Sequence, residues 1–521
     1  MKIKNVVIVG GGSSGWITAA SICKFFNGDV KVSLVESKTI ETIGVGESTL
    51  LSFNEYLDLI GLNDKDWMKE CNATYKSSIR FTDFRDVGTV FEYPFGWPRR
   101  QHEGLMSWCQ LAATYDMPPE SFAEYHNDNT FLANYNRLTK NEDGKLRNFD
   151  FHGHTAYHLD AELFGQYMKN NICKDVEHHY DNIVGVRKDD DGYVTSLIGQ
   201  LHGKYDGDLF IDCTGFKSLL LEKEMGSEFC SYKPWLPNDK ALVGNINYTD
   251  KNKQLTNVTN CTALNNGWVW DIPLWNRVGK GYVYSSDFVS DDIAELELIT
   301  HLGTDDIDLR KIDIKHGEHK EAWVKNVVGI GLSYAFVEPL ESTGLVSTYD
   351  GVIKLLEMIR RKNFNINRFD IDSYNMSMSD QMTQYRDFVS LHYVCSSRCD
   401  TPYWKHLTQE KSYIGLGERK YYTPGTVVNP IEDVMYKTSI KHLWDDPIGG
   451  YFYIMAGLGY KPLDSYQMRT IFTDNPSKKS LLKQWYNIWL DERKDLDEYV
   501  KTLPSSYEFL KEHIYELTDD E

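Results

Sequence analysis

The chain opens on a switch between two hydrophobic periods. Lys4 to Val9 is a short β-branched run that stops at Gly10-Gly11-Gly12-Ser13-Ser14-Gly15, which predicts a buried strand and a tight turn. Trp16 to Phe26 is rich in alanine and apolar residues and predicts a helix, and Asp29 to Glu36 predicts a second strand. Strand, glycine turn, helix and strand thus follow one another as a βαβ unit. Further strand patterns lie far along the chain. Tyr180 to Leu201 reads as strands around an Asp189-Asp190-Asp191-Gly192 turn, Asp208 to Asp212 as a strand ending in Cys213-Thr214-Gly215, and Val327 to Gly331 as another. One sheet assembled from distant segments is the expectation, with the blocks near 75–150 and 235–320 as insertions. From about Val346 the spacing is mostly helical, and Trp485, Tyr486, Ile488 and Trp489 within Ser480 to Leu503 read as a helix face packed on the core.

Composition narrows the class. Hydrophobic residues make up 41% and charged residues 25% of the 521, which suits a globular chain and excludes wholesale disorder. A chain of this length buries enough surface to need no disulfide or metal for its core. With 56 basic and 76 acidic residues the formal charge is −20, which repels phosphate backbones and makes nucleic acid a poor partner. The nine cysteines are odd in number and form no CxxC pair, so a reduced, cytoplasmic protein is expected. No apolar run reaches membrane-spanning length, so no membrane partner is expected; Val6 to Val9 stops at three glycines without the cleavage site of a secretory signal.

Gly10-x-Gly12-x-x-Gly15 follows a strand and opens a helix, and Glu36 ends the next strand. Such a turn lets a pyrophosphate approach the backbone and the positive end of a helix dipole, while the acid reaches a ribose hydroxyl. The motif alone does not separate NAD from FAD. Two later segments favour FAD: Asp208 to Gly215, a strand ending in small residues, and the second glycine loop Gly44-Val45-Gly46-Glu47-Ser48-Thr49.

Gly267-Trp268-Val269-Trp270-Asp271-Ile272-Pro273 is more specific. It contains the WxWxIP signature, and the chain is similar to the flavin-dependent halogenases, best known from those acting on tryptophan. Gly10 to Trp16 resembles that family's GxGxxGW opening. Gly44 to Thr49 resembles its GVGEAT loop, with Ser48 in place of alanine. Glu338 to Gly344 resembles its EPLESTG stretch, and Phe388 to Trp404, with Leu391-His392-Tyr393 and Asp400 to Trp404, a segment ending in DTPFW. The likeness runs in order from Met1 to about residue 462.

The resemblance implies an α/β fold: an FAD-binding Rossmann-like domain of the flavin-monooxygenase type with an inserted, mostly helical substrate-binding domain. The FAD part would be roughly 1–75, 150–235 and 320–365, and the substrate part roughly 76–149, 236–319 and 366–521. It implies a halogenase in which reduced FAD, O2 and halide give hypohalous acid, which crosses a tunnel to Lys76 and halogenates an electron-rich ring with Glu341 assisting. Lys76 would donate a hydrogen bond to hypohalous acid or form a haloamine. Glu341, rather than Glu338 three residues earlier, would stabilise the cationic ring or take its proton. FAD would contact Gly10, Gly12, Ser13, Ser14, Gly15, Glu36, Glu47, Ser48, Ile183, Leu332 and Leu345, and Thr343 and Gly344 would hold the halide. Trp268, Trp270 and Pro273 would fill space beside the flavin and keep substrate from it. Tyr93, where histidine is common in the family, and Phe95 would face the substrate ring; Tyr93 puts tryptophan specificity in question. Tyr421 and Tyr422 are candidate lid aromatics.

His152, His154 and His158 fall in a segment resembling the family's YHxDA stretch, so no metal is expected. No second glycine motif for NAD(P)H stands out, so a separate, transient flavin reductase is the expected partner, beside a small aromatic substrate and a homo-oligomeric assembly. Bromide and iodide are expected to serve as readily as chloride, because they are easier to oxidise. An aromatic hydroxylase or a non-catalytic FAD-binding module would share the flavin signature. The tryptophan pair and Lys76 speak against the first, and the intact Lys76 and Glu341 against the second.

Overall fold

The computed structural model describes residues 1–38, 46–99, 104–410, 449–459 and 476–517. Its contacts divide the chain into two compact units, each made of three segments. One comprises Met1–Ala73, Leu159–Asp239 and Asp313–Arg386, the other Thr74–His158, Lys240–Ile312 and Asp387–Glu521.

The first unit is built on a six-stranded sheet in the order Trp323–Val324, Val327–Gly329, Leu209–Asp212, Asn5–Val9, Lys31–Glu36 and Glu177–Tyr180. Every pairing but that of the edge strand Trp323–Val324 is parallel. Parallel strands are covered on both faces, which is why Val6 to Val9 is an unbroken apolar run and fully buried. Helix Ser13–Phe26 covers one face, with Gly15 against Leu34. The other face, to which Val7, Val9 and Val35 point, is covered by Val194, Leu197 and Tyr205 of a three-stranded meander. Strand, turn and helix therefore form from the residues that predicted them, and the helix starts three residues earlier, at Ser13. Helix Thr343–Arg361 packs along Ser13–Phe26 and brings its first turn into the same region.

The second unit is helix-rich, as expected of the insertion, and it also holds a large sheet. It carries a seven-stranded sheet in the order Arg310–Asp313, Lys240–Ile246, Val278–Tyr284, Gly267–Pro273, Val258–Ala263, Ser78–Thr82 and Val90–Pro94. The reason is local. Trp268, Trp270 and Ile272 alternate along their strand, as do Tyr282 and Tyr284 along the next, a period of two that only strands can bury on one face. Helices accompany this sheet. Pro476–Val500 buries Trp489 in a cluster with Trp108, Leu111, Phe122 and Tyr453, with Trp485 and Tyr486 against it, so its aromatic face is core. Among the described residues no helix is long and apolar enough to cross a membrane.

Candidate active site

In the first unit the dinucleotide turn is shaped by what its glycines exclude. Gly10 has φ +111°, a conformation that L side chains rarely adopt, and a Cβ there would run into the Cys213 carbonyl. The turn thus lies directly on the end of strand Leu209–Asp212. That end is fixed by Asp212, which accepts from the Thr214 amide and hydroxyl at 3.0 and 2.7 Å and from the Leu220 and Leu221 amides at 2.6 and 2.9 Å. Around Gly12, by contrast, there is open space. Gly12 supplies no side chain to cap helix Ser13–Phe26, and no acid sits in its first turn. Uncapped amides beside open space fit a dinucleotide phosphate.

The serines of this turn have their hydroxyls engaged. Ser13 Oγ donates to the Ala161 carbonyl at 2.9 Å, and Ser14 Oγ pairs with Thr348 Oγ1 at 3.2 Å. Their contribution to a phosphate would therefore come from the backbone. Glu36 Oε1 meets His178 Nε2 at 2.6 Å and Lys169 Nζ at 3.4 Å, while its other oxygen lies against Gly11. Leu332 belongs to the turn Gly331–Ser333, and Gly331 packs on Ser14 and Thr348, so the turns at 10–15 and 331–333 and the helix from Thr343 converge. Ile183 packs against the apolar cluster of Val7, Val9 and Val35, two residues after Asp181, whose amide donates to the Glu36 carbonyl at 2.9 Å.

The turn before that helix carries the acids. Pro339–Glu341 forms one 3-10 turn, Ser342 takes a left-handed conformation at φ +58°, and helix Thr343–Arg361 begins at once. Both Glu338 and Glu341 are buried, at 0% and 1% exposure. Glu338 accepts from Asn238 Nδ2 at 2.8 Å. Ser342 would ordinarily cap the helix, but its hydroxyl donates to Ser48 Oγ at 3.0 Å. The helix start therefore has no side-chain cap, and the buried Thr343 Oγ1 has no hydrogen-bond partner among the described residues. Leu345 is buried and Gly344 keeps some exposed surface. An uncapped amide row with an unmet hydroxyl is a place for an anion.

Lys76 belongs to the second unit and is fully buried at 0% exposure. Strand Thr74–Lys76 pairs with Ala156–Leu159, with Lys76 opposite Ala156. The ammonium Nζ lies 4.9 Å from the centre of the Phe95 ring, a cation–π distance. Tyr93 meets Phe95 edge-on at 5.9 Å and stacks on Tyr453 at 5.8 Å, so Lys76, Phe95 and Tyr93 form one aromatic wall. Tyr421 and Tyr422 lie outside the described residues.

Three asparagines hold this wall, and nothing in the linear sequence marks them. Asn129 Nδ2 donates to the carbonyls of Ser77, Phe95 and His154 at 2.8, 3.2 and 2.8 Å. Asn127 Nδ2 donates to the Phe95 carbonyl at 3.1 Å, and Asn257 Nδ2 donates to Ser77 Oγ at 3.3 Å and to the Arg137 carbonyl at 2.9 Å. A lone asparagine reads as a loop residue until the fold brings backbone carbonyls to it.

His154 and His158 are likewise structural. His154 accepts from the Trp97 amide at 2.9 Å through Nε2, and its Nδ1 lies 2.8 Å from the Asp150 carbonyl. His158 Nδ1 lies 3.1 Å from Thr74 Oγ1, and Nε2 lies 2.8 Å from Thr259 Oγ1. Thr74 spends its proton on the Pro273 carbonyl at 2.6 Å, so Nδ1–H donates to Thr74 and Nε2 accepts from Thr259. One proline of the WxWxIP strand is thus tied to the strand that carries Lys76. Burial, and then the Lys76 charge, hold the His158 pKa well below its ordinary 6.5. Between the two values the unfolded chain binds a proton that the folded ring refuses. The stability from neutral His158 is therefore complete above about pH 6.5 and lost as pH falls. His158→Gln is expected to flatten the acid side of the profile, wild type losing about 1.4 kcal/mol more per pH unit below 6.5, as read by urea unfolding. Among the described residues no cluster of three or more His, Cys, Asp or Glu is placed to hold a metal.

Trp268 and Trp270 lie 5.8 Å apart on one strand; Trp268 is fully buried, and Trp270 lies over Gly281, where any side chain would displace it.

A parallel sheet with an uncapped glycine turn at its strand ends defines a dinucleotide-binding fold. Residues 5–472 match the sequence profile of the tryptophan halogenases. RebH of Lentzea aerocolonigenes, a tryptophan 7-halogenase, is 30% identical over 98% of this chain and 99% of its own length. KtzR of Kutzneria sp. (strain 744), a 7-chloro-L-tryptophan 6-halogenase, is 35% identical over 80% of this chain and 84% of its own. The solved apo structure of VirX1 superposes with a TM-score of 0.89 at 42% identity, covering 99% of this chain and 100% of that one. The chain belongs to the tryptophan halogenase family. It is a flavin-dependent halogenase, an oxidoreductase that uses FADH2, O2 and halide on an aromatic substrate.

Proposed function

We propose that the enzyme halogenates an indole- or phenol-type ring, with Lys76 presenting the oxidised halogen and Glu341 serving the ring. FAD, when reduced and bound, supplies the electrons that activate O2 for halide oxidation. Gly10, Gly12 and Gly15 with the amides of Ser13 and Ser14 would hold its phosphates, with Glu36, Leu332 and Leu345 beside it. The amides of Thr343 and Gly344 would hold the halide. Ser342, turned toward Ser48, leaves those amides open to it.

The buried Lys76 carries this reading. A lysine this enclosed is costly unless its charge has a task. An ammonium held over Phe95 donates a hydrogen bond to the oxygen of hypohalous acid and withdraws electrons from the halogen. The ring attacks the halogen, the oxygen takes a proton from the ammonium and leaves as water, and the ring proton passes to Glu341; exchange with solvent then restores both groups. Tyr93 and Phe95 would form the face against which the ring lies. RebH is named for tryptophan and KtzR for 7-chlorotryptophan; here tyrosine occupies the wall at residue 93. The substrate class proposed is therefore electron-rich arenes, tryptophan among them. Reduced flavin would come from a separate reductase, and the enzyme would act in the cytoplasm as a homo-oligomer.

The test is turnover of an indole and phenol panel with FADH2, O2 and chloride, bromide or iodide, read by mass spectrometry. Products carrying whichever halogen is supplied are expected, with bromide and iodide at least matching chloride. A product bearing oxygen and no halogen, independent of halide, would establish a hydroxylase instead. Chemically reduced FAD is expected to replace the reductase fully.

A further inference from the structure

We infer that Glu47 is a proton-operated gate for halide: halide enters beside Gly344 only when the Glu47 carboxyl is protonated. This rests on the reading of Thr343 and Gly344 as the halide site.

The geometry lies within one unit. Strand Glu47–Ser48 packs against the first turn of helix Thr343–Arg361, tied by the 3.0 Å bond between Ser48 and Ser342. A Cβ built on Gly344 would stand 3.4 Å from Glu47 Oε2, so the carboxyl borders the space beside the uncapped amides. An ionised carboxylate is a poor neighbour for a halide. Two like charges sharing that space repel, which favours the protonated carboxyl.

Glu47 keeps some accessible surface, yet burial alone pushes its carboxyl up to about 7. No charged side chain among the described residues contributes to that shift. The titratable groups of the adjoining turn are the acids Glu338 and Glu341, and the first charge along the helix is Asp350, two turns on. The side chain is thus poised to change charge in the working range, next to the place read as taking up an anion. The sign follows. Below about 7 Glu47 is neutral and halide affinity is full; above it, each pH unit weakens halide binding about tenfold. By reciprocity, bound halide raises the Glu47 pKa, so proton and halide enter together. A neutral pair avoids placing a second negative charge beside the flavin site.

The decisive comparison is wild-type holoenzyme against Glu47→Gln, which keeps the shape and removes the titration. Wild type is expected to raise its bromide KM about tenfold between pH 7.5 and 8.5, and Glu47→Gln to hold it constant. Crystals of the FAD complex soaked in sodium bromide supply a second readout. An anomalous bromide peak beside Gly344 is expected at pH 6.5 in both proteins and at pH 8.5 only in the variant. A wild-type bromide KM that is flat with pH, or equally steep in Glu47→Gln, overturns the gate while a peak beside Gly344 keeps the halide site. A bromide peak that forms only elsewhere overturns the halide site and the gate with it.

Discussion

Lys76→Ala is expected to abolish halogenation while leaving flavin bound. The ammonium is fully enclosed, and its nearest aromatic neighbour is the face of Phe95, whose π-electrons favour a cation. A preorganised donor of this kind is worth about a hundred- to a thousandfold in rate, and a haloamine route through the same nitrogen would be lost outright. The loss should fall on kcat, because the residues that fit FAD belong to the other unit. The check has three readings on one preparation: FAD affinity by fluorescence titration, O2 consumption, and ring halogenation. The first two should persist, with oxidised halogen appearing on a soluble scavenging arene. Lys76→Met, which keeps most of the volume, should match Lys76→Ala and guards against a packing defect. Normal product formation by either variant would falsify the assignment.

Glu341→Gln is expected to lower kcat by about a thousandfold with unchanged FAD affinity. The carboxyl is buried in a rigid turn, between the 3-10 segment from Pro339 and the left-handed Ser342. A cationic ring about 4 Å from a carboxylate gains about 4 kcal/mol at the effective dielectric of a protein interior, which is about a thousandfold in rate. Glutamine keeps the shape and forfeits both the charge and the proton acceptance. Rapid-quench measurement of a single turnover isolates the chemical step. An unchanged rate there would remove Glu341 from the reaction and turn attention to Glu338, whose carboxylate already has Asn238 as a donor.

The contrast between these two acids shows how far linear reading reaches. Two carboxylates three residues apart look equivalent as a string. Folding gives Glu338 an amide donor from a segment a hundred residues away and seats Glu341 at the end of the turn that opens a helix. The histidines make the same point in reverse. His152, His154 and His158 share a spacing suggestive of ligands, yet His154 and His158 spend their ring nitrogens on backbone and threonine partners. The helix-rich insertion also carries a seven-stranded sheet, because its strands recruit partners from distant segments: Ser78–Thr82 runs parallel to Val258–Ala263. Such pairing leaves only a short period-two pattern in either segment.

What the sequence determines alone is whatever depends on neighbours along the chain. The strand–glycine–helix opening, the burial of Val6 to Val9, the aromatic helix face at Trp489 and the family motifs all belong here, since backbone geometry and hydrophobic period act over a few residues. Tertiary structure decides what depends on distant partners. It alone encloses Lys76 over Phe95, sets Asn127 and Asn129 on the carbonyls around them, turns Ser342 away from its own helix toward Ser48, and brings Glu47 to Gly344. Charge and hydrogen bonding are set by distance and by exclusion of water, and neither is written in the order of residues until the chain has closed around them.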